Sequence, residues 1–224
     1  MSLPELEERD FAELSIFPLP NVTLFPGALL PLHVFEPRYR ELLRDALSRR
    51  SVIAIARLRP GFEQDYEGRP PVFAVCGVGR VESCSEREDG RFDLALRGLA
   101  RARILEELPP QRAFRQVRAE RVREPAADAA LVAAWQLKLG SLWERLAPHL
   151  PQQVRDLSAL TRGAEDASAY SDRLAAAMVA DPNMSQQLLA EADPAERLRL
   201  LTGRVQELVD ALSPRSVAVD RGLN

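Results

Sequence analysis

The residue types that carry most enzyme chemistry are scarce in this sequence. The 224-residue chain has two histidines, two cysteines and a single lysine, namely His33, His149, Cys76, Cys84 and Lys138. Nucleophilic catalysis needs a nucleophile, a base and a group that orients the base, but each histidine lies alone within an apolar pattern. We therefore interpret both histidines as structural residues. The sequence predicts no catalytic residue and no enzyme activity.

Metal, disulfide and nucleotide sites are not indicated either. The cysteines lie far from both histidines in the sequence, so no spacing typical of a metal site is present. Their apolar, strand-like surroundings favour two buried core thiols, without a disulfide in a cytosolic protein. Lys138 follows Trp135 and two further helical residues rather than a glycine-rich turn, so no phosphate-binding loop exists. We expect no metal and no cofactor.

Glu36, Arg38 and Tyr39 form the most suggestive charged group. A glutamate and an arginine two residues apart around Pro37 can act as an acid-base pair. On the first turn of a helix, however, such a glutamate usually stabilises the helix dipole and such an arginine usually forms an ion pair. The alternative is that Arg38 and Tyr39 line a groove that binds a partner.

A second charged stretch, Arg97 to Arg123, holds eight arginines and three acidic residues. This pattern is typical of a solvated strand face. The alternative is an RNA site, but RNA sites ordinarily add aromatic side chains that stack on bases, and this stretch has only Phe114. The net charge of the whole chain, -3, gives nucleic-acid binding no further support.

The elements that position these residues start with the stretch Ile16 to Tyr39. Its prolines and apolar residues predict two short strands joined by a buried arm that contains Phe25 and Pro26. Pro31 in the second strand indicates a sheet edge or a bulge. At Pro37 the spacing of the apolar residues changes to that of a helix.

Further strands are predicted between residues 51 and 122. They are Ser51 to Leu58, Val72 to Ser85, Phe92 to Leu96, Ala100 to Leu105 and Phe114 to Val122. Gly77 and Gly79 indicate a bulge where the sheet curves. The loop Arg59 to Pro71 is rich in proline and glycine, and we expect it to expose Phe62 and Tyr66. Such short, regularly spaced strands are typical of a small barrel or sandwich.

Helices follow a change of composition at Glu124-Pro125. They are predicted over Asp128 to Ala147, Gln152 to Leu160 and Ser168 to Ala180, and from capping patterns at Asn183 and Asp193. The apolar side chains that share one face of the first helix are Leu131, Trp135, Leu139, Leu142 and Leu146. We predict a β-rich domain over residues 1–123 and an α-helical domain over residues 124–224.

The run from Phe17 to Tyr39, F-P-L-P-N-V-T-L-F-P-G-A-L-L-P-L-H-V-F-E-P-R-Y, resembles the opening of the Lon protease N-terminal, substrate-binding domain. Residues Gly77 to Val81, Leu94 to Ile104 and Asp193 to Leu198 resemble later landmarks of that family, so the likeness covers residues 14–212. The resemblance implies an α+β fold, with a PUA-like β-barrel or pseudobarrel followed by a helical bundle.

The resemblance also implies a function. It favours a non-catalytic recognition module, without the ATPase and peptidase domains of Lon, that binds exposed apolar segments of unfolded proteins or docks a protein partner. The candidate partner-binding residues are Phe25, Pro26, Arg38, Tyr39, Phe62 and Tyr66. An RNA-binding PUA-like module is the alternative. A small-molecule pocket is a third possibility, because cereblon-like proteins share the domain, although their ligand site lies in a different one.

The sequence also bears on where the protein is found. Residues 1–13 carry five acidic residues and one arginine and lack the apolar core of a signal peptide. The longest apolar window, Phe25 to Phe35, is too short to span a membrane and contains two prolines. We expect a cytoplasmic protein that does not enter the membrane.

Overall fold

The computed structural model describes residues 6–66 and 68–212, which form six strands and seven α-helices. The strands are β1 (Leu14–Leu19), β2 (Leu29–Val34), β3 (Val52–Arg57), β4 (Val75–Glu86), β5 (Phe92–Glu107) and β6 (Arg115–Arg121). The helices are α1 (Arg9–Ala12), α2 (Pro37–Ser48), α3 (Ala129–Leu146), α4 (Leu157–Leu160), α5 (Ala167–Met178), α6 (Pro182–Ala190) and α7 (Pro194–Leu212). This arrangement confirms the predicted α+β class.

The six strands form one sheet that closes on itself. Their order is β2-β5-β4-β3-β1-β6, and β5 also pairs with β6. Strands β1 and β3 are parallel, and the other pairs are antiparallel. Strand β2 lies outside the ring and pairs with β5 on one side only. Pro31 therefore lies in an edge strand, as predicted, where its missing N–H is tolerated.

The arm between β1 and β2 packs directly on β4 and β5, where two glycines make room for it. A Cβ atom on Gly77 would lie 1.9 Å from the carbonyl oxygen of Leu24, and one on Gly98 would lie 2.0 Å from that of Phe25. The backbone N–H of Gly27 donates to the Gly98 carbonyl at 2.9 Å. The strand register shifts next to Gly79, which confirms the predicted irregularity.

Two apolar clusters fill the barrel and one fills the helical part. The first barrel cluster packs beneath α2, and the second packs around α1 with small residues of β3, β4 and β5. Since β1 and β3 are covered on both faces, they read as continuous apolar runs. The helical cluster also includes Phe25 of the arm and Val75 of β4. These two residues connect the barrel to the helices through apolar contact.

A buried cluster of charges lies at the same junction. Arg101 of β5 donates two hydrogen bonds to Asp172 of α5, one of them at 2.9 Å. Glu124 accepts from Arg101 at 3.0 Å and from Arg197 of α7 at 2.9 Å. Both arginines and Asp172 are almost completely buried. The domain boundary near residue 124 remains a prediction.

Several element boundaries differ from the sequence prediction. Strand β5 is continuous, whereas two strands were predicted, because Gly98 stays paired through the bulge. Helix α6 begins at Pro182 rather than at Asn183, and Asp181 caps it. The single helix predicted over residues 152–160 is a short 3-10 turn and the separate helix α4, because the Asp156 side chain accepts from two backbone N–H groups and starts a new helix.

Two apolar side chains are more exposed than their sequence patterns predict. Cys84 lies in the last part of β4, where every residue from Glu82 to Glu86 is exposed, so only Cys76 is a buried thiol. Leu131 is 53% exposed although its spacing predicts the same helix face as Leu139, Leu142 and Leu146, which are buried. Within the part of the chain that the structure describes, no helix has both the length and the apolarity needed to cross a membrane.

Candidate functional site

Strand β2 exposes a row of side chains that is mostly apolar. Its burial alternates, so that Leu30, Leu32 and Val34 face the core while the intervening residues face solvent. We call the exposed row, consisting of Leu29, Pro31, His33 and Phe35, the β2 surface. Leu29 is 49% exposed and Phe35 is 57% exposed. Large apolar side chains in a row on a sheet edge are the kind of feature that marks interaction sites.

The polar groups beside the β2 surface are paired with one another. His33 Nδ1 lies 2.8 Å from Asp93 Oδ1 on the neighbouring strand, and Arg87 donates to the other oxygen of Asp93 at 2.6 Å. These contacts lower the pKa of Asp93, with the Arg87 hydrogen bond as the main cause. Arg97 pairs with Glu82 at 2.6 Å. Apolar contact is therefore the main interaction that this surface offers.

Arg38, Tyr39, Phe62 and Tyr66 come together at the Phe35 end of the β2 surface. The Tyr66 hydroxyl donates to Glu36 at 3.1 Å, and Arg38 Nε donates to the other Glu36 oxygen at 3.0 Å. The Arg38 guanidinium also lies over the rings of Tyr39 and Tyr66, at 4.8 and 5.4 Å. Burial, together with Glu36, raises the pKa of Tyr66. These contacts fix the loop that carries Phe62 and Tyr66, which we call the aromatic loop, against the start of α2.

Two sequence-predicted site residues are in the core. Tyr39 is 5% exposed and its ring stacks on Phe17 at 4.2 Å. Burial raises the pKa of Tyr39 to about 12. Phe25 is 2% exposed and packs among the helices, because the arm turns inward over Gly98. Both side chains are almost completely buried, so we do not include Tyr39 or Phe25 in the candidate surface.

The remaining candidates are half-buried. Phe62 and Tyr66 lie with their ring centroids 6.2 Å apart, and neither ring is fully exposed as expected from the sequence. Pro26 is half-buried too, but it lies next to Arg101 and Glu124, away from the aromatic loop. The structure therefore separates Pro26 from the other candidates.

An apolar groove adjoins the Leu29 end of the β2 surface. It lies between arm residues 21–30 and helices α5 and α6, and its volume is about 240 Å³. Its apolar walls come from Val22, Leu24, Phe25, Ala28, Leu29, Leu30, Ala175, Ala176, Val179, Ala180 and Pro182. The hydroxyl oxygen of Thr23 is buried in this region without a hydrogen-bond partner. The sequence indicated the arm but gave no sign that α5 and α6, which lie more than 130 residues later in the chain, would complete a groove with it.

The arginines between residues 97 and 123 are largely committed to the fold. Arg101 and Arg115 are buried, and Arg115 donates to Glu107 and to the Pro70 carbonyl. Phe114 is 2% exposed and cannot stack on a base. Within residues 6–66 and 68–212, only Arg103, Arg121 and Arg123 of this stretch form no ion pair. The stretch is therefore much less basic as a surface than it is as a sequence.

Groups suited to metal binding do not occur in the described ranges, where no three His, Cys, Asp or Glu side chains are placed to hold an ion. The buried thiol of Cys76 donates to the Ala102 carbonyl, and burial raises its pKa to about 12. A thiol in this state is a poor nucleophile.

The barrel, the arm and the helices match a known family. The model of the ATP-dependent protease La (LON) substrate-binding domain matches residues 13–207, and the chain therefore belongs to that family. Among curated proteins, Lon protease of Anaeromyxobacter dehalogenans is 27% identical over 85% of this chain and 22% of its own length. Lon protease 2 of Myxococcus xanthus is 25% identical over 84% and 23%. The chain thus spans less than a quarter of these relatives.

Solved structures show the same fold. The N-terminal domain of Mycobacterium avium complex Lon protease superposes with a TM-score of 0.67 at 21% identity, covering 87% of this chain and 98% of that one. The Lon N-terminal domain protein from Xanthomonas campestris superposes with a TM-score of 0.59 at 23% identity, covering 86% and 98%.

Proposed function

We propose that this protein recognises protein substrates by binding exposed apolar segments in extended conformation along the β2 surface. The observation that carries the proposal is the row of Leu29, Pro31, His33 and Phe35 on an edge strand, in a chain of the Lon substrate-binding family. The polar side chains beside this row are paired with one another, which leaves the apolar side chains of the row available to a partner.

The spacing of the β2 surface suits an extended chain. Alternate residues of a strand are about 7 Å apart, so the four side chains cover about 20 Å, the length of a six-residue extended segment. The outer edge of β2 is not paired with another strand in the described structure, which allows backbone hydrogen bonds to an added segment. Pro31 has no N–H and limits such pairing, so side-chain contact should dominate.

The expected affinity is modest. Leu29 and Phe35 are already half-buried, so covering the rest of each side chain contributes about 1 to 1.5 kcal/mol, half of the value for full burial. Association and ordering of the segment oppose binding by several kcal/mol. We therefore expect weak binding, with dissociation constants well above the micromolar range, which suits a module that samples many unfolded segments and releases them.

The aromatic loop should extend the binding surface beyond Phe35. Phe62 and Tyr66 are held there by the Glu36 hydrogen bond and by Arg38. Replacing both aromatics by serine should weaken binding of an unfolded protein and lower Tm only slightly, whereas Phe17→Ala, which removes a buried ring, should lower Tm by several degrees. A large loss of Tm in the loop variant would mean that these aromatics act in folding instead.

The main test compares two pairs of exposed apolar side chains, one on the β2 surface and one elsewhere. The double variant Leu29→Ser/Phe35→Ser should bind fluorescein-labelled casein at least about tenfold more weakly in fluorescence anisotropy, with an unchanged Tm. The matched control is Leu105→Ser/Leu212→Ser, which changes two side chains that are 45% and 44% exposed elsewhere. Equal weakening in both variants, or no weakening in the first, would contradict the proposal.

RNA binding is the weaker alternative. Most arginines of the basic stretch are paired or buried, and its aromatic side chain is in the core. Binding through apolar contact should change little between about 50 and 200 mM salt, whereas phosphate binding would fall steeply. Competition by RNA together with a steep salt dependence would favour the alternative.

A further inference from the structure

A cavity of about 230 Å³ lies beside the aromatic loop. Its walls come from the start of α2, from residues 68 and 69 after the aromatic loop, and from residues 113–115 at the start of β6. Arg38 lines this cavity and also lies over the ring of Tyr66, at 5.4 Å. The cavity, which we call the arginine cavity, therefore adjoins the Phe35 end of the β2 surface.

Tyr39 brings a hydrogen-bond donor to the arginine cavity. The residue is only 5% exposed, lines the cavity, and forms no side-chain hydrogen bond among the described residues. The charges of Arg38 and Arg115, which line the same cavity, act on its hydroxyl group. Burial raises the pKa of Tyr39 to about 12, so the hydroxyl keeps its proton at neutral pH. Because a buried tyrosine hydroxyl usually has a partner, its position here indicates a ligand.

Two arginines of the cavity wall supply further donors. Arg115 donates two hydrogen bonds to Glu107 and one to the Pro70 carbonyl, which uses three of the five N–H groups of a guanidinium. Arg69 donates one, to Glu107 at 2.8 Å. Their side chains are 11% and 36% exposed, so Glu107 holds both guanidinium groups in place at the cavity. Each arginine keeps N–H groups that have no acceptor among the described residues.

Acceptors are scarce at the arginine cavity. None of the residues that line it is acidic, and Glu107 already accepts from two arginines. Asp65 lies at the rim, where a Cβ atom on Gly68 would be 2.1 Å from its Oδ1, but its side chain is exposed to solvent. A wall that offers mainly donors is complementary to a group that only accepts hydrogen bonds. An ionised carboxylate is such a group, and its planar shape matches a guanidinium.

We propose that the arginine cavity binds a carboxylate of the segment that lies along the β2 surface, with the Tyr39 hydroxyl and the guanidinium groups of Arg69 and Arg115 as donors. The carboxylate belongs either to an acidic side chain of the segment or to its C-terminus. This inference rests on the proposed function, because it adds a polar contact to the apolar binding of the same segment. The volume is well above the roughly 30 Å³ that one water molecule occupies in the liquid, so a carboxylate fits together with its neighbouring atoms.

Three synthetic peptides with a neutral fluorophore at the N-terminus test the proposal by fluorescence anisotropy. All share one six-residue apolar run followed by a short glycine-serine linker. The first ends in an amide and has no acidic residue, the second ends in a free carboxylate, and the third ends in an amide and carries one glutamate after the linker. One net hydrogen bond changes affinity by about two- to tenfold. The second or the third peptide should therefore bind at least about twofold more tightly than the first, and the tighter one identifies the source of the carboxylate.

Tyr39→Phe is the main variant, because it removes the hydroxyl and keeps the buried ring. It should abolish the preference for a carboxylate, with Tm and binding of the first peptide unchanged, since the hydroxyl has no partner to lose within the described chain. Tyr170→Phe, at a half-buried tyrosine of α5, is the matched control and should keep the preference. Arg69→Gln should reduce the preference, whereas Arg118→Gln, at an exposed arginine paired with Glu106, should not.

The outcomes separate this inference from the proposed function. Equal binding of all three peptides by the wild type, or a preference that survives Tyr39→Phe, would overturn the carboxylate site alone. Binding of the carboxylate peptides without any binding of the first would support the site and contradict apolar recognition along β2, and no binding of any peptide would overturn both. Stronger competition by inorganic phosphate than by acetate would assign the cavity to phosphate instead.

Discussion

Replacing Asp172 by asparagine removes the central negative charge of the junction between barrel and helices. Asp172 is 1% exposed and is paired with Arg101, whose side chain is 2% exposed. Arg197, which is fully buried, lies 3.6 Å from the same carboxylate. Asparagine has nearly the same size as aspartate, so the change removes charge without opening a cavity. The two guanidinium groups would then share Glu124 as their only carboxylate within the described residues.

The size of the effect follows from burial. Removing one partner of a buried ion pair costs about 3 to 5 kcal/mol, because the other charge stays buried without compensation. Glu124 still contacts both arginines and is 27% exposed, which places the expected loss near the lower limit, about 3 kcal/mol. For a chain of this length each 1 kcal/mol lowers Tm by about 2 to 4 °C, so we expect a decrease of about 6 to 12 °C.

Thermal and urea unfolding followed by circular dichroism measure this loss directly. The matched control is Glu207→Gln, which breaks an exposed pair with Arg204 at 2.9 Å and should change stability by less than about 1 kcal/mol. A loss at Asp172→Asn no larger than the control would refute the reasoning. It would mean that the cluster does not hold the helices on the barrel.

Three further outcomes are expected. A maleimide should label the exposed Cys84 and spare the buried Cys76 in the native protein. Burial raises the pKa of Cys76 from 9.0 to about 12, so the free energy of unfolding should be constant below pH 9 and decrease between pH 9 and 12. Cys76→Ala should reduce that decrease. Labelling of both thiols without denaturant would contradict this. Gly77→Ala, whose Cβ would lie 1.9 Å from an arm carbonyl oxygen, should cost about 3 kcal/mol or more in urea unfolding, whereas Gly203→Ala, with open space around it, should stabilise α7 by about 0.5 to 1 kcal/mol. Equal effects at both glycines would contradict the packing of the arm. Trypsin should cut first after Arg123 or within residues 59–71, and early cleavage within residues 76–105 instead would argue against a boundary near residue 124.

Much of the fold follows from local patterns in the sequence. The edge position of β2 follows from Pro31, and the start of α2 follows from Pro37 and the change of apolar period. The start of α7 follows from Asp193 and Pro194, where the Asp193 side chain accepts from the N–H of Ala195 as expected of a cap. Each of these features is decided within a few residues.

Other features depend on contacts between distant parts of the chain. Arg101 reads as one of several solvated arginines, and only its pairing with Asp172, 71 residues later, shows that it is buried. Phe25 reads as a partner-binding residue until the arm is seen to turn inward and bury it among the helices. Leu131 matches the apolar spacing of a core position, but the helix extends past its neighbours there. The spacing of apolar residues along one helix does not show where the elements packed against that helix end.

The candidate surface can be predicted only in part from the sequence. Phe35 and Leu29 alternate with the inward residues of β2, so their outward direction follows from the strand period. The sequence does not show that these two side chains form a candidate binding surface, because that depends on β2 lacking a second partner strand in the described structure. Tyr66 was identified as a loop aromatic, but its hydrogen bond to Glu36 joins residues 30 positions apart.

Hydrogen-exchange mass spectrometry of the full chain with and without saturating casein tests the proposed function most directly. If apolar segments bind along the β2 surface, the amides of residues 29–35 should gain protection, with a smaller gain over residues 62–66. Residues 97–123 and the first half of α3 should be unchanged. Protection confined to either of those regions, with none over residues 29–35, would contradict the account.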